Sequence, residues 1–485
     1  MNALMLQGTA SGVGKSVLTA GLCRLLARRG VRVAPFKPQN MSNNAAVTIE
    51  GGEIGRAQAL QALACGLEPS VHMNPLLIKP EADCTAQLIV RGHPVGRLEA
   101  ARFREERQRW LATILESFEE LRRQYDLVLT EGAGSPAEPN LRRGDVANMG
   151  FAEAADVPVW LIGDIDCGGV FASLTGTLEI LSPSEQARVQ ALLINRFRGH
   201  RPLLSDGLDW LTAKTGKPVA GVIPWLPLDL PEEDAPLRHQ AGHRGGGIGE
   251  LQVAVIGYPR MSNSDDIDPL AAEPSIGVRF VRRPDELQPA DLAILPGSKA
   301  VAADLEWLRA QGFEATLARH LRYGGKILGI CGGMQMLGQR IIDDGVEGAS
   351  CAGLGWLPLT TAMQPEKTLK RIDATAAFPA PLRVTGYEIH HGESDRDPAL
   401  FPFAARSEDG QVWGSYLHGL FEQGPFRQAF LAALCFSGGT AVDQRQRTLT
   451  ALDLLADTLE RELDPGLLAP LCKANSLGTG KGGVP

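Results

Sequence analysis

Short apolar runs recur along the first half of the chain at Leu4–Leu6, Val31–Pro35, Leu127–Thr130, Val157–Gly163 and Ala191–Asn195. Segments of helical length and periodicity separate them, the βαβ rhythm of a parallel sheet. The pattern predicts a doubly wound, mostly parallel α/β domain over residues 1–230. From 231 to 250 the sequence turns polar and glycine-rich, with Pro231-Glu232-Glu233-Asp234-Ala235-Pro236 and then His243-Arg244-Gly245-Gly246-Gly247, which reads as a linker. The rhythm restarts at Leu251–Ile256, Leu292–Leu295, Lys326–Ile330 and Val412–Tyr416, predicting a second α/β domain over 251–440. In the remaining 441–485, Leu452, Leu455, Ala456, Leu459 and Leu463 share one face at helical spacing, as in a packing helix. The small and polar residues from Ala474 to Pro485 read as a flexible tail.

Composition narrows the class. At 485 residues the chain exceeds one ordinary hydrophobic core, and 44% hydrophobic with 21% charged residues is that of a globular enzyme. A net charge of −8 offers no footprint for a nucleic-acid backbone. Eight cysteines at Cys23, Cys65, Cys84, Cys167, Cys331, Cys351, Cys435 and Cys472 form no C-x-x-C pair and no zinc spacing, which suits a reduced, cytoplasmic chain. The start lacks the charged and apolar regions of a signal peptide, and no apolar run approaches the ~20 residues of a membrane span. Neither a nucleic-acid nor a membrane partner is expected, and the oligomeric state is not readable.

The first candidate chemistry is Gly8-Thr9-Ala10-Ser11-Gly12-Val13-Gly14-Lys15-Ser16, between an apolar strand and the amphipathic run from Val17 to Arg29. In that context successive backbone N–H groups cradle phosphate oxygens, Lys15 reaches the terminal phosphates and the Ser16 hydroxyl can hold Mg²⁺. ATP and Mg²⁺ are therefore the expected cofactors. Thr9 stands where the strict Walker pattern has glycine, with Gly8 one position earlier; this variant resembles the loop of dethiobiotin synthetase. Lys37 follows the second strand at its C-terminal end, where open α/β sheets bind ligands, and suits an anionic acid or a transferring phosphate. Glu131, ending the strand Leu127–Thr130, can join Ser16 at a Mg²⁺ site, or can be an ordinary solvated strand-end carboxylate. Asp164 and Asp166 occupy a similar place as weaker candidates. Asn195 ends another strand, where the related fold uses an Asn to read adenine and where a turn residue would serve equally.

The second motif is Gly329-Ile330-Cys331-Gly332-Gly333-Met334, a strand, a tight glycine turn and a helix start. Such an elbow exposes a nucleophile and places it at a helix N-terminus that favours the thiolate. His418, at the end of the apolar run Val412–Tyr416, is the matching general base and acid. Backbone N–H groups of Gly332 and Gly297 are the expected oxyanion donors. These pieces resemble the class I glutamine amidotransferases, whose usual triad carries a Glu two residues after the His. Here that position is Leu420, so another group must orient the imidazole. Glu388 is a candidate, while His390 and His391 suit packing or substrate contact.

The two motifs on one chain resemble the cobyrinate amidase group of cobalamin biosynthesis. The resemblance runs through Gln7-Gly8-Thr9, Pro35 to Asn44, Gly55-Arg56-Ala57-Gln58, Met73-Asn74-Pro75 and both amidotransferase motifs. It implies ATP-dependent amidation of the b, d, e and g carboxylates of adenosylcobyrinic acid a,c-diamide to give adenosylcobyric acid, through acyl phosphates, with glutamine as nitrogen donor. Gln39, Asn40 and Asn43, with Lys37, suit hydrogen bonding to the corrinoid substrate. Cobalt would arrive inside that substrate, so no protein-bound cobalt is expected. A sheltered ammonia path between the domains follows from the chemistry. Two other readings stand: a synthase acting earlier, at the a and c carboxylates, and a regulatory P-loop ATPase with an inactive amidotransferase-like module.

Overall fold

The computed structural model describes residues 1–82, 85–99, 102, 105, 108–231, 251–436 and 439–473. Apart from Pro231, the expected linker at 231–250 lies outside the described residues, as does the expected tail at 474–485. The chain divides into two compact units.

In the first unit six strands form a parallel sheet in the order Val219–Pro224, Val189–Phe197, Val159–Asp164, Ala3–Gly8, Leu127–Glu131, Val33–Phe36. Strand alternation sorts their side chains onto two faces. Met5, Phe36, Val128 and Leu161 pack with Phe118 and Phe151 on one side. Leu4, Leu6, Leu129 and Ile162 pack with helix Lys15–Arg28 on the other. Because every parallel strand runs the same way, Gly8, Glu131, Asp164 and Asn195 are delivered to one edge of the sheet, the edge at which such folds bind ligands. A smaller sheet places the strand Gln39–Met41 beside Leu76–Ala82.

The second unit has its own sheet, in the order Ile276–Val281, Leu251–Ile256, Leu292–Leu295, Lys326–Ile330, Val412–Ser415, with Ala405–Arg406 antiparallel at the edge. A long antiparallel hairpin, Thr360–Thr375 with Arg383–Ser394, belongs to a separate four-stranded sheet. Here too parallel direction brings the ends of the Lys326–Ile330 and Val412–Ser415 strands together, in the register Ile330 to Ser415.

The unit boundaries differ from the sequence-based ones in two places. Residues 448–473 cluster with the first unit, and Asn43–Val47 clusters with the second. The first has a plain cause. Leu452, Leu455, Ala456, Leu459 and Leu463 are nearly or fully buried in the same core as the helix Lys15–Arg28, where Leu455 and Leu459 lie over Gly21 and Leu463 over Gly221. Arg24 forks onto Asp453 at 2.8 and 3.1 Å, and Asp464 N–H donates to the Ala220 carbonyl at 2.7 Å. Truncating Leu459 to alanine removes a fully buried side chain and should cost about 2–5 kcal/mol, read as a lowered urea midpoint for the first unit. Among the described residues no helix is long and apolar enough to cross a membrane.

Candidate active sites

The phosphate loop turns on glycines. Gly14 has φ 96°, and a Cβ there would also stand 2.3 Å from the Asn195 amide nitrogen, so no side chain fits. That nitrogen donates to the Val13 carbonyl at 2.8 Å, which places Asn195 on the loop itself. Lys15 Nζ donates to the carbonyls of Ala10 and Gly134, 2.9 Å each, spanning the mouth of the loop. Thr9 is half-buried and Ser11 exposed along the same turn, with Gly8 before and Gly12 after them.

Glu131 is the hub of this site. It is fully buried, and it accepts from Ser16 Oγ at 2.7 Å, Lys37 Nζ at 2.8 Å and Gln61 Nε2 at 2.6 Å. Burial pushes its carboxyl up, but the Lys37 ammonium and the three hydrogen bonds outweigh that and hold it below the usual carboxylate value. It is therefore an ionised, buried carboxylate rather than a solvated strand end. Asp164 and Asp166 are instead paired with Arg196 and Arg198, at 2.7 and 3.0 Å.

The expected substrate set divides. Lys37 is at the hub, and Gln39 and Asn40 follow on the first unit's small sheet. Gln39 is buried with its carbonyl oxygen unpartnered, and Asn40 donates to Gln58 at 2.9 Å. Asn43 falls in the second unit. Gln61 is a hub residue that sequence reasoning does not single out. Its signal is there: Gln58 and Gln61 interrupt an Ala/Leu run on the buried helix Arg56–Cys65, and a buried amide needs a partner.

In the second unit the strand Lys326–Ile330 ends at Cys331, whose φ of 50° and ψ of −110° make a strained elbow, and its side chain is buried there, not exposed as the motif suggests. Its N–H is held by the Ser415 carbonyl at 2.7 Å, which ties the elbow to the strand preceding His418. A Cβ on Gly332 would stand 2.8 Å from the Ser298 nitrogen, so only glycine lets the elbow approach the Gly297–Ser298 strand. Gly297 lies beside the His418 ring, 3.4 Å from its Cε1 to the position a Cβ would take.

The orienter of His418 is Asp266. Its Oδ2 lies 2.7 Å from His418 Nδ1, and its Oδ1 accepts from the Gly419 N–H at 2.7 Å, so both oxygens fix the ring and the chain that carries it. With Nδ1 engaged there, Nε2 is left for Cys331. Burial alone would pull the imidazole down. The Asp266 charge and hydrogen bond, then the hydrogen bond and charge of Cys331, raise it to about 10.

Glu388 does not take this role, and the expectation is corrected by strand geometry. Its neighbour Tyr387 faces His418, stacking at 5.4 Å, so Glu388 points to the opposite face of the strand. There it meets Arg396 at 2.7 and 3.0 Å and His390 at 3.3 Å. Against the upward push of burial, those two partners lower its carboxyl to about 2. His390 stacks on Tyr416 at 3.9 Å, and His391 Nδ1 is 3.0 Å from the Gln364 carbonyl oxygen. Leu420, where the usual Glu would stand, is buried in the apolar core. One turn beyond Cys331, Gln335 is buried with its carbonyl oxygen unpartnered, a further polar group near the nucleophile that no sequence motif marks.

Two family models match the chain, each over one stretch. Residues 4–237 match the CobQ/CobB/MinD/ParA nucleotide binding domain, and residues 252–426 match the CobB/CobQ-like glutamine amidotransferase domain. Among solved structures the chain is similar to a glutamine amidotransferase (17% identity, 39% of this chain and 98% of that one, TM-score 0.29). It is also similar to the MinD cell division protein of Aquifex aeolicus (16% identity, 47% of this chain and 83% of that one, TM-score 0.27). A cobyric acid synthase from Halorhodospira halophila is 61% identical over 471 residues, 96% of this chain and 97% of that protein. With nearly the whole of both chains aligned at that identity, the chain belongs to the cobyric acid synthase family.

Proposed function

We propose that the chain uses ATP and glutamine to amidate the b, d, e and g carboxylates of adenosylcobyrinic acid a,c-diamide, giving adenosylcobyric acid in the cytoplasm. The observation that carries the reading is the pairing, on one chain, of a phosphate loop with its charged hub and a Cys–His–Asp constellation. The choice of corrinoid acceptor is supported by the 61% identical cobyric acid synthase.

In the second unit the Cys331 thiolate attacks the side-chain carbonyl of glutamine, and the oxyanion is met by the N–H groups of Gly332 and Gly297. His418 gives its proton to the departing ammonia. Water, deprotonated by the same imidazole, then cleaves the thioester to release glutamate. Asp266 stabilises the imidazolium and fixes its orientation throughout. In the first unit an acceptor carboxylate attacks the γ-phosphorus of ATP, forming an acyl phosphate and ADP. Lys15 and Lys37 offset the charge of the transferring group. Ammonia then adds to the acyl carbon and expels phosphate, leaving the amide.

Ser16 and Glu131 fit a Mg²⁺ ion. Ser16 donates its hydroxyl hydrogen bond to Glu131, so its oxygen lone pairs remain for a hard cation, and Glu131 is ionised. When bound, the ion would supply charge neutralisation to the phosphates. Lys37, Gln39, Asn40 and Asn43 are the residues we assign to the acceptor, and Thr9, Ser11 and Asn195 join the loop glycines around the nucleotide.

Mass spectrometry of cobyrinic a,c-diamide incubated with the protein, ATP, Mg²⁺ and glutamine tests the reading. Four successive mass steps of one amidation each are expected, and an unchanged substrate would sink it. Glu131→Gln should lower amidation from either glutamine or ammonium by on the order of 10²-fold, because charge stabilisation at the phosphates is lost. Glutamine hydrolysis should persist in that variant.

A further inference from the structure

We propose that the segment Asn43–Val47 is a working part of the glutaminase site: through Asn263 it positions the loop that carries Asp266, and so His418. The inference rests on the glutaminase reading above. This segment lies in sequence between stretches of the first unit, yet it clusters with the second. Ala45, Ala46 and Val47 are each no more than 4% exposed.

The contacts form an unbroken series. The Ala45 N–H donates to Asn263 Oδ1 at 3.2 Å, and Asn263 Nδ2 donates to the Tyr387 hydroxyl at 3.4 Å. Both ends of the Asn263 amide are thus engaged, and the residue itself is 3% exposed. Its backbone is left-handed, with φ 50° and ψ 47°, a conformation that asparagine tolerates better than most residues. That backbone starts the short turn Ser264–Ile267, and the Asn263 carbonyl accepts from the Asp266 N–H at 3.1 Å. Asp266 then holds the His418 ring and the Gly419 N–H. Tyr387 returns to the same histidine. Its ring stacks on the imidazole, and its backbone exchanges hydrogen bonds with His418 at 3.1 and 2.9 Å.

Two routes therefore run from Ala45 through Asn263 to His418, one by the Asp266 turn and one by Tyr387. A displacement of about 1 Å in a catalytic group can cost roughly 10²-fold in rate, so the amide of Asn263 need not touch glutamine to govern hydrolysis. Asn263 is a positioning residue, and Asn43–Val47 is what its carbonyl grips. The segment also follows Lys37, Gln39 and Asn40, which we assign to the acceptor, so the completion of the glutaminase site depends on chain that belongs in sequence to the synthetase half.

Asn263→Gly in the full-length protein is the direct test, because glycine keeps the left-handed backbone and removes only the amide. Ala45→Pro is the companion, deleting the N–H donor at the other end. Both should lower kcat for glutamine hydrolysis about 10- to 100-fold with KM changed little. His418, which faces Asp266, Cys331 and Tyr387, should lose its proton at lower pH, moving the alkaline limb of the rate profile acidward. In Asn263→Gly, amidation from ammonium should stay within about twofold of wild type, which a general loss of folding would not allow. Unchanged kcat and pH profile in both variants would overturn the inference, as would equal losses with glutamine and ammonium. Wild-type protein that hydrolyses no glutamine would instead overturn the functional reading on which it rests.

Discussion

In the Cys331→Ala protein, amidation from glutamine falls by about 10³-fold or more, while amidation from ammonium salts proceeds at the wild-type rate. The asymmetry follows from where the residue sits. Cys331 supplies the sulfur on which the thioester forms, and alanine tolerates the apolar contacts around it in a unit whose core is otherwise untouched. The phosphate loop, Lys37 and Glu131 belong to the other unit and keep their geometry. The measurement is paired steady-state assays with the two nitrogen sources. Equal loss from both would show that Cys331 does more than release ammonia, and full glutamine activity would remove it from the mechanism.

Asp266→Asn is the second large effect. The substitution is nearly isosteric, so the turn and the hydrogen bond to Gly419 can survive, but the charge beside Nδ1 is gone. Loss of the orienting carboxylate in a comparable triad costs up to about 10⁴-fold, and a fall of roughly 10² to 10⁴ in glutaminase kcat is expected here. The pH dependence has a definite sign. Against the downward pull of burial, His418 is raised from 6.5 to about 10, chiefly by the Asp266 charge. Without that charge burial dominates, the imidazolium loses its proton at lower pH, and the alkaline limb moves acidward. Stability follows the same linkage. A folded-state value raised above the unfolded one stabilises fully below about pH 6.5, and that contribution is lost as pH rises toward 10. Denaturant titrations of the second unit should show this loss in the wild type and little of it in Asp266→Asn. An unaltered rate profile would mean that another group orients His418.

Features written in consecutive residues are legible in the sequence alone. The phosphate loop and the Cys331 elbow each combine a strand, a glycine turn and a helix start, so local chemistry and local backbone point the same way. His418 follows from its place at the end of an apolar run. Asp266 is not legible, because its partnership with His418 spans 152 residues and no local pattern distinguishes it from Asp265 beside it. Glu388 misleads for the opposite reason. It lies within reach in sequence, but one step along a strand reverses the face to which a side chain points. The exchange of Asn43–Val47 and the Thr448 onward segment between units has no sequence signature. An amphipathic stripe announces that a helix packs, not what it packs on.

The placement of the C-terminal helices sets an order on synthesis. Leu18, Leu22 and Leu25 on the helix Lys15–Arg28 are made well before the residues that cover them. Their cover, Leu452, Leu455 and Leu459, lies far along the chain, and Arg24 waits 429 residues for Asp453. At typical elongation rates of about 5–20 residues per second that interval is on the order of tens of seconds, during which an apolar face of the nascent first unit stands open to chaperones and to other chains. The phosphate loop's own helix is thus buried only once residues 452–459 have been made, and a chain cut short near residue 440 would leave that helix permanently uncovered.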